Sequence, residues 1–321
     1  MSPVRLAGID IGTLTCRLLI ADLLPDGRLK AVHAERRILR LGEDVDRSKR
    51  LSVAAMERVV HCLKGWHEAV GEHRIDGCAV VATSAVRDAA NRSEFLALVT
   101  RETGLTVDVI SGDEEARRTM RGIRSGLPAG VTGVLGLDIG GGSTEFILDR
   151  PGRQPVVKSI DIGVVRLSER ILHHDPPTAE EIQRAREWVR QETERAMADM
   201  PSRAGLTFVG TAGTITALAA MAQRLSSYEP ARIHNYRLTL EIIVDLERQL
   251  LGRTKAARVG LPGLEKNRED VIAAGAVIIR TVMDALGEKE CLVSDLGLRE
   301  GVLLTLADRL AAGRTPFTTQ L

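Results

Sequence analysis

Apolar positions near the N-terminus fall as they do in strands. One run closes at Asp10, glycine and hydroxyl residues follow (Gly12-Thr13-Leu14-Thr15), and the pattern resumes at Leu18-Leu19-Ile20 before the tight-turn signal Pro25-Asp26-Gly27. The same order returns in mid-chain, with a run into Leu137 and Asp138, the turn Gly140-Gly141-Gly142-Ser143-Thr144, then Phe146-Ile147-Leu148 and Pro151-Gly152. Both segments therefore predict strand, glycine turn, strand, second turn, strand. Elsewhere the spacing turns helical. Met56, Val59, Val60 and Leu63 mark one face of a helix over 51–70. Further helices are expected over 93–103 with Ser93 as cap, over 111–123, and over 178–197 behind the proline and capping signal Pro176-Pro177-Thr178-Ala179-Glu180-Glu181. Others are expected up to 222, over 240–251, over 271–286 and from 299 to about 311. Buried strands are predicted at 78–81, 107–110, 134–137, 206–209 and 291–293.

A chain of 321 residues exceeds what one hydrophobic core usually serves. The glycine- and proline-containing stretch at 125–130 is the natural break. It gives one domain over 1–128, to which a C-terminal helix over about 299–321 returns, and a second over 129–298; the tail from 312 is expected to fray. With 44% hydrophobic residues and a net charge of +1, the composition is that of an ordinary globular protein and excludes a globally basic nucleic-acid binder. Two tryptophans, two tyrosines and four phenylalanines leave little for base-stacking platforms. Cys16, Cys62, Cys78 and Cys291 are scattered without a C-x-x-C, so reduced, mostly buried thiols are expected rather than a zinc site. No stretch is long enough to span a bilayer, and Asp10 interrupts the first apolar run as a signal peptide would not allow. These features point to the cytoplasm, with no membrane or nucleic-acid partner.

The two glycine turns carry the chemistry. Glycine lets backbone N–H groups converge, and such concavities bind phosphate oxygens. An aspartate beside each turn would repel a bare phosphate, so a divalent cation or water belongs between them. No G-x-x-x-x-G-K-[ST] occurs, and neither glycine cluster opens directly into a helix, which excludes a P-loop or a dinucleotide fingerprint. The duplicated hairpin resembles instead the superfold of actin, hexokinase and Hsp70. That resemblance implies an α/β protein with two actin-like, ribonuclease H-like domains and an interdomain cleft that grips a phosphate chain.

Six ordered segments narrow the resemblance: 8–17, Thr83-Ser84-Ala85-Val86-Arg87-Asp88-Ala89-Ala90-Asn91, Ser111-Gly112-Asp113-Glu114-Glu115-Ala116-Arg117, 138–145, Gly210-Thr211-Ala212-Gly213-Thr214 and 294–301. Together they resemble the exopolyphosphatase/guanosine pentaphosphate phosphatase family. The resemblance implies that Glu115 is the catalytic carboxylate and that Asp138, Glu145 and, in the first loop, Asp10 serve the metal. It places substrate phosphates on Gly12, Thr13, Thr15, Arg87, Gly140, Gly141, Gly142, Ser143, Thr144, Gly210 and Gly213. The cofactor it implies is Mg2+, with Mn2+ a substitute and K+ a further candidate, and a homodimer is usual among such proteins.

The residues support this chemistry on their own terms. Cleaving a phosphoanhydride needs a positioned water, a carboxylate to orient it and cations to neutralise the phosphoryl oxygens. Glu114 and Glu115 stand at a helix start, where negative side chains are favoured even without a catalytic role. Neighbouring helical positions diverge by about 100°, so only one of them can face a ligand. Arg87 supplies a guanidinium suited to phosphate, and Arg117, Arg121 and Arg124 could extend a basic track on one helical face. His234 and Arg268 are secondary candidates in the second domain. One departure is visible: the family commonly has Gly-Ser-Asn-Ser in the first loop, whereas here Leu14 removes an amide donor.

The expected activity is thus Mg2+-dependent release of terminal phosphate from inorganic polyphosphate, with removal of the 5′-phosphate of guanosine pentaphosphate as the alternative. A non-catalytic polyphosphate or alarmone sensor and a small-molecule kinase on the same superfold are the readings from other classes.

Overall fold

Leu6, Ala7, Ile9 and Ile11 are all buried, which makes β1 (Val4–Ile11) a central strand. In the computed structural model, which describes residues 4–313, it pairs antiparallel with β2 (Thr15–Leu23), and β2 pairs antiparallel with β3 (Leu29–Ile38). On its other edge β1 runs parallel to β4 (Gly77–Ala82), and β4 runs parallel to β5 (Val107–Val109). The sheet order is β3-β2-β1-β4-β5. Alternate residues of β1 and β2 serve two cores. Ala7, Ile9, Cys16 and Leu18 pack with the helices Val53–Glu72 and Arg92–Thr103 through Met56, Leu63, Trp66 and Phe95. Leu6, Leu19 and Ala21 pack on the opposite face with Leu298, Val302, Leu303 and Leu306 of the last helix, Leu298–Ala311.

The second sheet repeats the arrangement. β6 (Val134–Ile139), β7 (Thr144–Asp149) and β8 (Val156–Ile160) form an antiparallel meander, and β9 (Thr207–Thr211) runs parallel to β6. Outside β9 come β10 (Arg237–Thr239) and β11 (Glu290–Val293), giving the order β10-β11-β9-β6-β7-β8. A meander followed by parallel strands beside its first strand is the actin-like topology, present here in duplicate. The chain divides into two compact units, one formed by the residues up to Ser125 together with those from Gly297 onward, the other by Gly126–Leu296. The part of the expected terminal helix and tail beyond 313 lies outside the described residues.

Several local expectations change. The helix at 93–103 begins as Arg92–Thr103, with Asn91 rather than Ser93 at its cap position. The Asn91 amide does not cap; it accepts from Leu51 N and donates to Leu51 O, tying this helix to the start of Val53–Glu72. Arg87 sits in a short helix, Ser84–Asp88, instead of a loop. β10 is a three-residue edge strand with no hydrophobic run to announce it.

The long helix Ala179–Ala198 starts as its sequence indicates, with a capping box between Thr178 and Glu181. Burial raises the Glu181 pKa, but hydrogen bonds from His174 and from the Thr178, His173 and His174 N–H groups prevail and bring it from 4.5 to about 2. A carboxylate with a lowered folded-state pKa stabilises fully above its unfolded pKa and loses that contribution as pH falls through the folded one. Melting temperatures recorded between pH 5 and pH 2, on the order of this window, should therefore fall more steeply for the native chain than for Glu181→Gln. Parallel curves would remove Glu181 from the acid response.

Candidate active site

Each unit presents one glycine turn with the same internal bond. Gly12 N donates to Thr15 O at 2.9 Å in the first, and Gly140 N donates to Ser143 O at 3.0 Å in the second. Gly12 is required by this closure, because a Cβ there would stand 2.9 Å from the Thr15 oxygen. The turn carbonyls are used inward: Thr13 O accepts from Gly42 N, and Leu14 O accepts from Leu39 N and Arg40 N. In the second unit Val164 N donates to Gly140 O, while Val165 N and Arg166 N donate to Gly141 O. Gly163 permits that approach, since a side chain there would overlap the Gly141–Gly142 peptide. Among the described residues the N–H groups of Thr13 and Leu14, and of Gly141, Gly142 and Ser143, have no such bonds. Open donors beside inward carbonyls are what an anion-binding turn requires.

In the first unit the turn is braced by Thr13 Oγ1 and Ser84 Oγ at 3.0 Å. The Leu14 side chain is buried, so this departure from the common loop fills the core instead of facing a ligand. The helix Gly112–Arg124 begins with Ser111 Oγ accepting from Glu114 N. From that start the two glutamates separate as helical geometry demands. Glu114, with a side chain 37% exposed, pairs with Arg118 at 2.7 Å and Arg117 at 3.7 Å. Glu115, 12% exposed, instead meets Arg87 Nη1 at 3.3 Å. The same Nη1 donates to Ile110 O at 3.0 Å, so Arg87 is anchored to the segment that leads into the helix. Glu115 and Arg87 are thereby brought together. The expected basic track is not intact: Arg121 is held by both oxygens of Asp308 at 2.5 and 2.9 Å.

In the second unit Asp138 and Glu145 face each other directly across the hairpin and are both buried. Thr211 stands beside Asp138 on β9, and Ser159 beside Glu145 on β8 donates to Glu145 Oε1 at 2.8 Å. Like charges in facing positions repel, and a hard divalent cation relieves that repulsion with the oxygen ligands it prefers. The donor set fits Mg2+, which takes one or two carboxylates and completes its shell with water and phosphate. No cluster of three or more His, Cys, Asp or Glu side chains suited to a metal occurs among the described residues. Asp10 is the penultimate residue of β1 in the first unit, but the residue facing it is Arg17, a less favourable setting for a cation than the Asp138–Glu145 pair.

Other expectations shift. Thr144 is fully buried and its Oγ1 donates to Ile162 O at 2.6 Å, so its hydroxyl is not presented to a ligand. Gly210 lies within β9 rather than in an open turn; a Cβ there would press on Cys291 Sγ and Ile215, and its carbonyl accepts from Ser294 N. Gly213 falls in the first turn of the helix Ala212–Ala222, against the Arg268 guanidinium. Thr15 opens β2. The His234 ring bridges Gly126 O through Nε2 at 2.8 Å and Asp295 N through Nδ1 at 3.2 Å. Those partners require a proton on Nε2 and give His234 a bracing role. The thiols are poor nucleophiles, because burial pushes Cys62 up to about 11 and Cys78 and Cys291 up to about 12.

A separate cavity of about 880 Å³ opens in the second unit among Ile182, Arg186, Val244, Glu247, Leu251 and Arg280. Within it buried Glu247 takes Arg186 at 2.8 Å together with Arg280, and Arg280 also reaches Asp284 at 3.5 Å. It shares no residue with the glycine turn. Among the described residues no helix is long and apolar enough to cross a membrane.

Comparison with known proteins identifies relatives along nearly the whole chain. The chain is 38% identical to Exopolyphosphatase 2 of Mycobacterium tuberculosis over 321 residues, covering 96% of this chain and all of that protein. The crystal structure of the Aquifex aeolicus member of the Ppx/GppA family matches with a TM-score of 0.80 at 34% identity, over 97% of this chain and 99% of that one. An exopolyphosphatase from Cytophaga hutchinsonii matches with a TM-score of 0.85 at 27% identity, over 97% and 99%. The model of the Ppx/GppA phosphatase family matches residues 20–310. With the duplicated actin-like topology and the two glycine turns, this places the chain in the Ppx/GppA phosphatase family.

Proposed function

We propose that the protein is an exopolyphosphatase, removing terminal orthophosphate from inorganic polyphosphate. The observation that carries this reading is the Glu115–Arg87 pair at 3.3 Å, which sets a carboxylate and a phosphate-binding cation side by side at a helix start. Glu115 orients a water and accepts its proton as the water oxygen attacks the terminal phosphorus. The anhydride P–O bond breaks, and the shortened chain leaves with the bridging oxygen. Arg87 holds the Glu115 carboxylate in one orientation and presents its remaining N–H groups to phosphoryl oxygens. The free N–H groups of Thr13 and Leu14 receive phosphate oxygens in the first unit, and those of Gly141, Gly142 and Ser143 in the second. Asp138 and Glu145 would hold Mg2+, which supplies charge neutralisation at the phosphoryl oxygens.

Inorganic chains are favoured over guanosine pentaphosphate because Trp66, Phe95, Phe146 and Phe208 are buried in the cores, leaving few aromatic faces for a purine. Trp188 is covered by the Arg170 guanidinium at 5.3 Å. Phosphate release measured in parallel from short polyphosphate, long polyphosphate, guanosine pentaphosphate and ATP, with magnesium and with a chelator, tests the proposal. The expected result is magnesium-dependent release from polyphosphate well above that from either nucleotide. Preferential turnover of guanosine pentaphosphate would replace the substrate, and full activity in the chelator would remove the cation from the scheme.

A further inference from the structure

The cavity of about 880 Å³ is walled by three helices that lie wholly within the second unit. Ile182, Arg186 and Arg190 recur at every fourth position of Ala179–Ala198, so they form one stripe along its wall. Val244, Glu247 and Leu251 form a second stripe on Leu240–Leu251, and Arg280 comes from Ile272–Leu286.

Glu247 is only 1% exposed, and the two guanidinium groups that reach it come from different helices. Arg186 uses Nε at 3.3 Å and Nη2 at 2.8 Å, and Arg280 uses Nη1. A buried Arg–Glu–Arg triad adds little net stability, because desolvation of its charges offsets their attraction. What it supplies is position. The carboxylate fixes both guanidinium groups and leaves Arg186 Nη1 and Arg280 Nη2 without hydrogen bonds among the described residues. Arg190, one turn beyond Arg186, makes no hydrogen bond or ion pair among the described residues. The other charges on the wall are answered elsewhere: Glu187 accepts from Gln191 at 2.6 Å, and Arg248 pairs with Asp245 at 3.1 Å. Ile182, Val244 and Leu251 give the same cavity an apolar surface.

We propose that this cavity binds a small organic oxyanion. Its phosphate or carboxylate head would meet Arg190, Arg186 and Arg280, and its apolar body would lie on Ile182, Val244 and Leu251. Guanidinium forks match either head group through paired N–H donors. A volume of about 880 Å³ is in the range of small-molecule sites and far exceeds what a lone inorganic phosphate fills. None of these residues belongs to the glycine turns or to the Glu115–Arg87 pair, so the site stands whether or not the chain hydrolyses polyphosphate.

The test is calorimetric titration of the full chain with phenyl phosphate and with benzoate. At least one should bind, and the tighter of the two identifies the head group. Replacing its phenyl ring by methyl, as methyl phosphate or acetate, should weaken binding by about tenfold or more through loss of the apolar contact. Arg190→Met should weaken the phenyl compound by roughly tenfold or more, the effect of losing a charge-assisted contact. The same variant should keep native phosphate release from polyphosphate. Arg87→Met, which removes the cation beside Glu115, should leave the affinity for the phenyl compound unchanged. If Arg190→Met folds poorly, Arg190→Lys replaces it; the charge stays, the fork goes, and binding should still weaken severalfold. Failure of both phenyl compounds to bind overturns the inference. Native affinity in the Arg190 variant, affinity lost in Arg87→Met instead, or a methyl analogue that binds as tightly as the phenyl compound would each do the same.

Discussion

Glu115→Gln is expected to lower phosphate release from polyphosphate by roughly 10²- to 10⁴-fold, the range associated with losing a positioned general base. Gln keeps the shape of the side chain and one oxygen within reach of Arg87, so the helix and its contacts should persist. Tripolyphosphate binding should therefore change far less than turnover. The neighbouring Glu114→Gln provides the internal comparison, because Glu114 is committed to Arg118 and Arg117. It should cost stability, through the half-buried ion pair with Arg118, more than it costs turnover. Steady-state phosphate release for the two variants decides the matter. Turnover near the native level in Glu115→Gln, or equal losses in both, would take the catalytic role away from Glu115.

The second large effect is expected where two helices touch backbone to backbone. A Cβ on Gly301 would overlap the carbonyl oxygen of Arg118, and one on Gly122 would overlap the carbonyl oxygen of Gly297. The helices Gly112–Arg124 and Leu298–Ala311 thus cross at a separation that only glycine allows. No flexible side chain can yield there, so Gly301→Ala must push the helices apart. The expected loss is about 3 kcal/mol or more of unfolding free energy, at the upper end of overpacking effects. Because Glu115 is borne by one of these helices, turnover should fall with stability. Gly65→Ala gives the opposite sign: nothing lies within 4 Å of a Cβ at that helical position, and the substitution should stabilise by up to about 1 kcal/mol. Denaturant unfolding and phosphate release on both variants check the pair. A Gly301→Ala protein as stable and active as the native chain would mean that the close crossing is not needed.

Where function resides in local chain geometry, the sequence is a good guide. The hairpin repeat is legible because apolar alternation, a glycine turn and a second turn signal recur in one order. The divergence of Glu114 and Glu115 follows from helical spacing alone, and the capping box at Thr178 and Glu181 is written in consecutive residues. What escapes is set by partners distant in the chain. Nothing near Arg121 reveals that Asp308 will engage it, and nothing near Gly210 reveals that Cys291 will press against it. Thr144 reads as a ligand hydroxyl until Ile162 O is found to take it. β10 is too short to carry a periodic signal and exists through its pairing with β11.

The first unit draws one of its cores from segments far apart in the sequence, since Leu6, Leu19 and Val81 are covered by Leu298, Val302, Leu303 and Leu306. During synthesis the early strands leave the ribosome with that face bare, and it stays bare until the distant segment that carries Leu298 to Leu306 has been made. The intervening segment, Gly126–Leu296, is continuous and has no such wait. Vectorial translation should therefore complete the later-made portion first, while the earlier one remains a client for chaperones until its closing helix emerges.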